Sequence, residues 1–280
     1  MSRNGEYTRG GMDRRSFLEN LTQTAGGSAT ALALLPILQN NPAQAQIVPA
    51  NDSRLDTARV GYDAAGTKID GYLAKPKGGA KHPAVLVIHE NRGLTPHIQD
   101  VARRMALEGF LAFAPDMLTP LGGTPADESQ GPPMIGKLVA AETVARLAAA
   151  VAFLAKNAEC TGKVGVVGFS WGGGMVNRVM AAGTSLNAGV AYYGSQIPAA
   201  DVPKISGPLL LHYAGSDARI NAGIPDYEAA LKANAKAYQI HTYEGAGHGF
   251  NNDTGGQRYN KEAAQLAWSR TIAFFKKHLV

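Results

Sequence analysis

The sequence predicts an α/β domain: a mostly parallel central sheet with helices on both faces. Three observations predict it. β-rich runs alternate with helix-compatible runs from about residue 58 to residue 278, the pattern of βαβ units. Pro83-Ala84-Val85-Leu86-Val87-Ile88 is continuously apolar, as a strand buried on both faces must be. The composition, 45% hydrophobic and 18% charged over 280 residues, gives one domain ample core and excludes disorder as the main state.

The elements follow in order. Residues 58–63 and 68–74 read as a hairpin turning at Ala64-Ala65-Gly66-Thr67. After the strand ending at Ile88, Thr95-Pro96 opens a helix, because threonine can cap it and proline suits its first turn, with Ile98, Val101, Ala102 and Met105 at helical spacing. Residues 110–114 are the next strand. The Pro- and Gly-rich stretch 115–136 is too long for a routine connection and is expected to wall a binding site. An alanine-rich helix over 137–157 then leads to the strand 163–167 and to a helix through Met175, Val176, Val179 and Met180. Strands at 188–193, 208–214 and 237–243 follow, with helices at 226–235 and 261–278. No internal repeat or linker divides residues 46–280, which are read as a single domain.

Residues 1–45 read as a removable export signal. Arg14-Arg15-Ser16-Phe17-Leu18 resembles a twin-arginine motif, an apolar stretch runs from Ala25 to Leu38, and Ala43-Gln44-Ala45 is a cleavage pattern. Glu19 stands where such signals often carry lysine. The apolar stretch is short of the roughly 20 residues a membrane span needs, so no stable membrane insertion is expected. The reading predicts a periplasmic or secreted protein whose precursor meets an export machinery. A formal net charge of +5 with scattered lysines and arginines offers no basic stripe for nucleic acid. Cys160 is the only cysteine; no intramolecular disulfide can form, and it reads as a small buried residue just before a strand.

The chemistry centres on Gly168-Phe169-Ser170-Trp171-Gly172-Gly173, placed between strand and helix. This G-x-S-x-G arrangement sets its serine on a strained turn, and the glycines remove Cβ atoms where strand and helix meet. The Trp171 amide then lies at a helix N-terminus, free to stabilise an oxyanion. Asp217 follows the strand 208–214 in Gly215-Ser216-Asp217, and His248 follows the last strand in Gly245-Ala246-Gly247-His248-Gly249-Phe250. Each sits at a strand's carboxyl end, and the order Ser, Asp, His is that of the α/β-hydrolases. Serine needs a histidine base, and the histidine needs a carboxylate to hold its tautomer.

Other candidates serve less well. Asp116 precedes the elbow, and Asp226 reads as a helix opener. His212 and His241 lie within strands, whereas His82, His97 and His278 read as exposed or helix-terminal. His89-Glu90-Asn91-Arg92-Gly93 begins like the zinc motif H-E-x-x-H, but its fifth residue is glycine and no helix surrounds it. No metal site is expected. The loop instead lies where a second oxyanion donor is expected, and that donor is assigned to the Asn91 amide.

His89-Glu90-Asn91-Arg92-Gly93-Leu94, the double-glycine elbow, Gly215-Ser216-Asp217 and Gly245 to Phe250 together resemble the dienelactone hydrolase (carboxymethylenebutenolidase) family over residues 55–280. The stretches Asn251-Asn252-Asp253-Thr254, Arg258-Tyr259, Ala267-Trp268 and Phe274-Phe275 resemble its serine-bearing branch. The resemblance implies an α/β-hydrolase fold and ester or lactone hydrolysis without a cofactor. It also implies an auxiliary role for Glu90: orienting Ser170, binding a substrate polar group or bracing the oxyanion loop. Better-known members use a cysteine nucleophile and two arginines for a substrate carboxylate. Here the nucleophile is Ser170, and the arginine positions fall near Pro120 and Asn252. Arg92, Arg219 and Arg258 are left as cations for an anionic substrate, Arg92 and Arg258 foremost. The expected function is a serine hydrolase of a small carboxylic ester or lactone. A thioesterase or peptidase on the same triad, and a non-catalytic binding protein of the same fold, stand as alternatives.

Overall fold

The computed structural model describes residues 46–280, and residues 47–280 form one compact unit. The export-signal reading of residues 1–45 therefore lies outside the described residues.

β1 (Leu55–Ala64) and β2 (Thr67–Pro76) form an antiparallel hairpin, and β2 pairs antiparallel with β4 (Leu111–Pro115). The remaining strands, β3 (His82–Ile88), β5 (Cys160–Phe169), β6 (Ala188–Tyr192), β7 (Leu209–Ala214) and β8 (Tyr238–Tyr243), run parallel. The eight strands lie in the order β1-β2-β4-β3-β5-β6-β7-β8.

Successive side chains of a strand point to opposite faces, and β3 feeds both cores. Val85 and Val87 pack with α1 (Pro96–Leu107) and α7 (Lys261–Leu279), through Ile98, Val101, Met105, Phe274 and Phe275. Leu86 and Ile88 join Leu147 and Val151 of α3 (Ala140–Ala155), Val176 and Val179 of α4 (Trp171–Met180) and Leu231 of α6 (Ile224–Ala233). Two shorter helices, α2 (Gly131–Ile135) and α5 (Ala218–Asn221), complete the described set. Among the described residues no single helix is long and apolar enough to cross a membrane.

Several local readings change. β5 begins at Cys160, so the buried cysteine opens the strand instead of preceding it. The stretch 115–136 is structured: it holds 3-10 turns at Thr119–Leu121 and Glu128–Gln130, then α2. Asp116 organises its start, because its carboxylate accepts from Leu118 N–H at 3.0 Å, Thr124 N–H at 2.8 Å and the Thr124 hydroxyl at 2.9 Å. Thr95 is the N-cap of α1 but makes no side-chain capping bond, leaving Pro96 to set the helix start.

His97, read as exposed or helix-terminal, lies in the first turn of α1 and is buried, with Nδ1 2.9 Å from Asp253 Oδ1. Burial alone would raise the Asp253 carboxyl, but the His97 ring and the Arg104 guanidinium outweigh it and hold it below its ordinary range. Asp100, 1% exposed, accepts from the Ile47 and Val48 amides at 3.0 and 2.8 Å and pairs with Arg104. Arg103 donates to the Val48 carbonyl and the Tyr72 hydroxyl. This buried network ties the first residues of the unit to α1. Asp100→Ala removes the carboxylate that holds Arg104 and the Ile47 and Val48 amides, and breaking such a network costs about 3–5 kcal/mol. At this size that lowers the thermal midpoint by roughly 6–20 °C, measurable by calorimetry.

Candidate active site

The elbow occupies the junction of β5 and α4. Ser170 has φ 54° and ψ −113°, a conformation sparsely populated by non-glycine residues. Its own N–H donates to the Tyr192 carbonyl at 3.0 Å, and its carbonyl accepts from Gly174 N–H at 3.1 Å, which fixes the turn on both sides. The glycines are required by contact. A Cβ at Gly168 would meet the Gly172 carbonyl oxygen at 2.2 Å, and one at Gly172 would meet the carbonyl oxygens of His89 and Ile88, each at 2.5 Å. Strand β3 and helix α4 thus touch backbone to backbone, next to the loop carrying Asn91. Gly172→Ala pushes these backbones apart, costing about 3 kcal/mol or roughly 6–12 °C of thermal midpoint.

Asp217 and His248 arrive from the carboxyl ends of β7 and β8. The buried Asp217 is the N-cap of α5: its Oδ1 accepts from Ile220 N–H at 3.3 Å, leaving Oδ2 2.5 Å from His248 Nδ1. His248 Nε2 lies 2.7 Å from Ser170 Oγ. A carboxylate at Nδ1 places the ring proton there and leaves Nε2 with the lone pair that faces the hydroxyl. The Tyr193 ring lies 5.1 Å from the imidazole and backs it. The structure therefore brings together the three residues that the sequence placed at separate strand ends.

Trp171 is the first residue of α4, and Asn91 lies in the exposed turn after β3. Among the described residues, neither backbone amide donates a hydrogen bond within the protein. The Asn91 loop is held from below: Leu94 N–H donates to Thr124 Oγ1 at 2.7 Å, and Thr124 is itself held by Asp116. From above, Gly131 packs so closely that a Cβ there would sit 2.6 Å from Arg92 Cα. The stretch 115–136 thus abuts the loop as one wall.

Among the described residues, Glu90 bonds to Asn252 and Tyr193 and not to Ser170. Its Oε2 accepts from Asn252 Nδ2 at 2.8 Å and its Oε1 from the Tyr193 hydroxyl at 3.3 Å. Burial, and then the Glu90 charge, push the Tyr193 phenol well above its ordinary range, so it stays a donor. Of the three uses expected for Glu90, this geometry matches bracing. Arg92 pairs with Glu128 at 2.9 Å, and Arg258 is exposed. Tyr193 and Thr124 escaped the sequence reading; Asn252 is read there within the tail motif and near an expected arginine position, but not as a partner of Glu90.

A model of the dienelactone hydrolase family matches residues 69–279. This chain belongs to the dienelactone hydrolase family. Its relatives include a Saccharolobus solfataricus protein named "Putative carboxymethylenebutenolidase", 32% identical over 77% of this chain and 96% of that protein. An Escherichia coli protein of the same name is 30% identical over 85% of this chain and 93% of its own length. Among solved structures, the Klebsiella pneumoniae "Putative Dienelactone Hydrolase" is 26% identical with a TM-score of 0.73, covering 80% of this chain and 99% of that one. Membership of the dienelactone hydrolase family makes this chain an α/β-hydrolase-fold enzyme. Where better-known family members are expected to place an arginine, Asn252 instead donates to Glu90.

Proposed function

We propose that this protein is a serine hydrolase that cleaves a small carboxylic ester or lactone through an acyl-enzyme. The observation that carries the reading is the unbroken chain of contacts from Asp217 Oδ2 through His248 to Ser170 Oγ. In it, Nε2 takes the hydroxyl proton as Oγ attacks the carbonyl, while Asp217 stabilises the imidazolium. The Trp171 and Asn91 amides receive the oxyanion. His248 then hands the proton to the leaving oxygen, and a water, activated in the same way, releases the acid. The names of the relatives support a lactone or ester as the substrate.

The test is turnover by the purified protein of p-nitrophenyl acetate, p-nitrophenyl butyrate, simple lactones and a dienelactone. Hydrolysis of at least one ester or lactone is expected; inertness toward all of them contradicts the reading.

Export is part of the proposal, supported by Arg14-Arg15-Ser16-Phe17-Leu18 and Ala43-Gln44-Ala45. N-terminal sequencing of protein recovered from a periplasmic fraction is expected to start at Gln46. An intact N-terminus confined to the cytoplasm contradicts it.

A further inference from the structure

We infer that His89 is a positioning residue that sets both oxyanion donors, through the Glu90–Asn91 peptide on one side and the Trp171 indole on the other. The inference rests on the hydrolase reading above. His89 is fully buried, and no step of that reaction uses its imidazole.

Both of its ring nitrogens are committed. Met117 N–H donates to Nε2 at 3.1 Å, which leaves the ring proton on Nδ1, and Nδ1–H donates to the Glu90 carbonyl at 2.7 Å. Burial pushes the imidazole below its ordinary range, in keeping with a neutral ring that has one donor and one acceptor.

The Glu90 carbonyl and the Asn91 N–H belong to one planar trans peptide unit, so their directions are opposed and fixed to each other. A bond that pins the carbonyl toward His89 therefore aims the Asn91 N–H the other way, and it polarises that N–H as well. On its other side the ring stacks on the Trp171 indole, centroids 5.2 Å apart and planes 16° from parallel. Trp171 supplies the second amide, and the His89 backbone carbonyl already abuts Gly172. One side chain thus bonds the peptide unit that carries the first amide and stacks on the residue that carries the second.

Three substitutions separate this role from core filling. His89→Phe keeps the ring and loses both hydrogen bonds. In His89→Asn the amide nitrogen can replace Nδ1 as donor to Glu90, and in His89→Gln the amide oxygen can replace Nε2 as acceptor from Met117. Wild type and Ser170→Ala run alongside with p-nitrophenyl acetate as substrate, phenylboronic acid as the probe of the tetrahedral state and thermal melting as the control.

Removing one oxyanion donor outright costs about 10²- to 10³-fold in kcat, so misaiming is expected to cost His89→Phe about 10- to 100-fold, with KM within about twofold. Its affinity for the boronic acid should weaken by the same factor as kcat/KM, and His89→Asn should recover part of both. The positioning role is overturned if His89→Phe keeps kcat within about threefold of wild type. It is equally overturned if activity falls only in step with thermal midpoint or soluble yield across all three variants while boronic acid affinity holds. A wild type that hydrolyses no ester overturns instead the hydrolase reading on which the inference stands.

Discussion

Ser170→Ala is expected to lower kcat/KM for a short-chain aryl ester on the order of 10⁴- to 10⁶-fold, the range seen when a hydrolase loses its nucleophile. The whole reaction passes through Oγ, and no neighbouring hydroxyl or thiol lies on the same elbow; Cys160 is at the far end of β5. Residual activity of about 10³-fold over water is expected from the oxyanion amides and binding alone. The fold should be unaffected, because among the described residues the side chain bonds only to His248, at 2.7 Å. Steady-state kinetics with calorimetry checks both halves. Activity within tenfold of wild type contradicts the role of Ser170.

Asp217→Asn is the second large effect, expected to lower kcat on the order of 10⁴-fold with little change in stability. The variant's side-chain carbonyl oxygen would remain available to the Ile220 N–H that Asp217 now caps, so α5 keeps its start. The amide nitrogen that replaces Oδ2 is a donor facing Nδ1, which drives the ring proton to Nε2. A protonated Nε2 cannot accept the Ser170 proton, and the base is lost while the geometry stays. A variant losing less than tenfold, or one losing activity only by unfolding, contradicts this assignment of the tautomer.

The sequence made the site legible where function depends on chain position. Ser170 and Asp217 follow strands with long apolar runs, His248 follows the mixed strand Tyr238–Tyr243, and parallel strands deliver their carboxyl ends to one edge of the sheet. That local rule sufficed to place three residues far apart in the chain. The partners that act across the fold left no such mark. The role of Asp116 was hidden because its partners, Leu118 N–H and the two groups of Thr124, come from a turn inside the irregular-looking stretch 115–136 that its carboxylate holds together. His97 is helix-terminal as read, but its burial was hidden because Asp253, its partner, lies in a distant loop brought over α1 by tertiary packing. Tyr193 has φ 39° at the end of β6, and nothing in its neighbours' identity announces that it turns to meet both Glu90 and His248.

Backbone contacts bring the Gly172 end of α4 against the end of β3, and side chains from the stretch 115–136 then fix the loop that follows β3. Of the two positions where the family resemblance implies an arginine, the one near Asn252 holds an amide that donates to Glu90, while Arg92, a leftover cation, is paired with Glu128.

Every role assigned to the triad depends on acyl transfer through a covalent intermediate on Ser170. Rapid acid quenching during turnover of p-nitrophenyl acetate, followed by peptide mass spectrometry, looks for that intermediate itself. The expected result is a burst of p-nitrophenol equal to the enzyme present and an acetyl group on the peptide carrying Ser170. Linear product release without a burst, together with no acyl group or one on another residue, would contradict it.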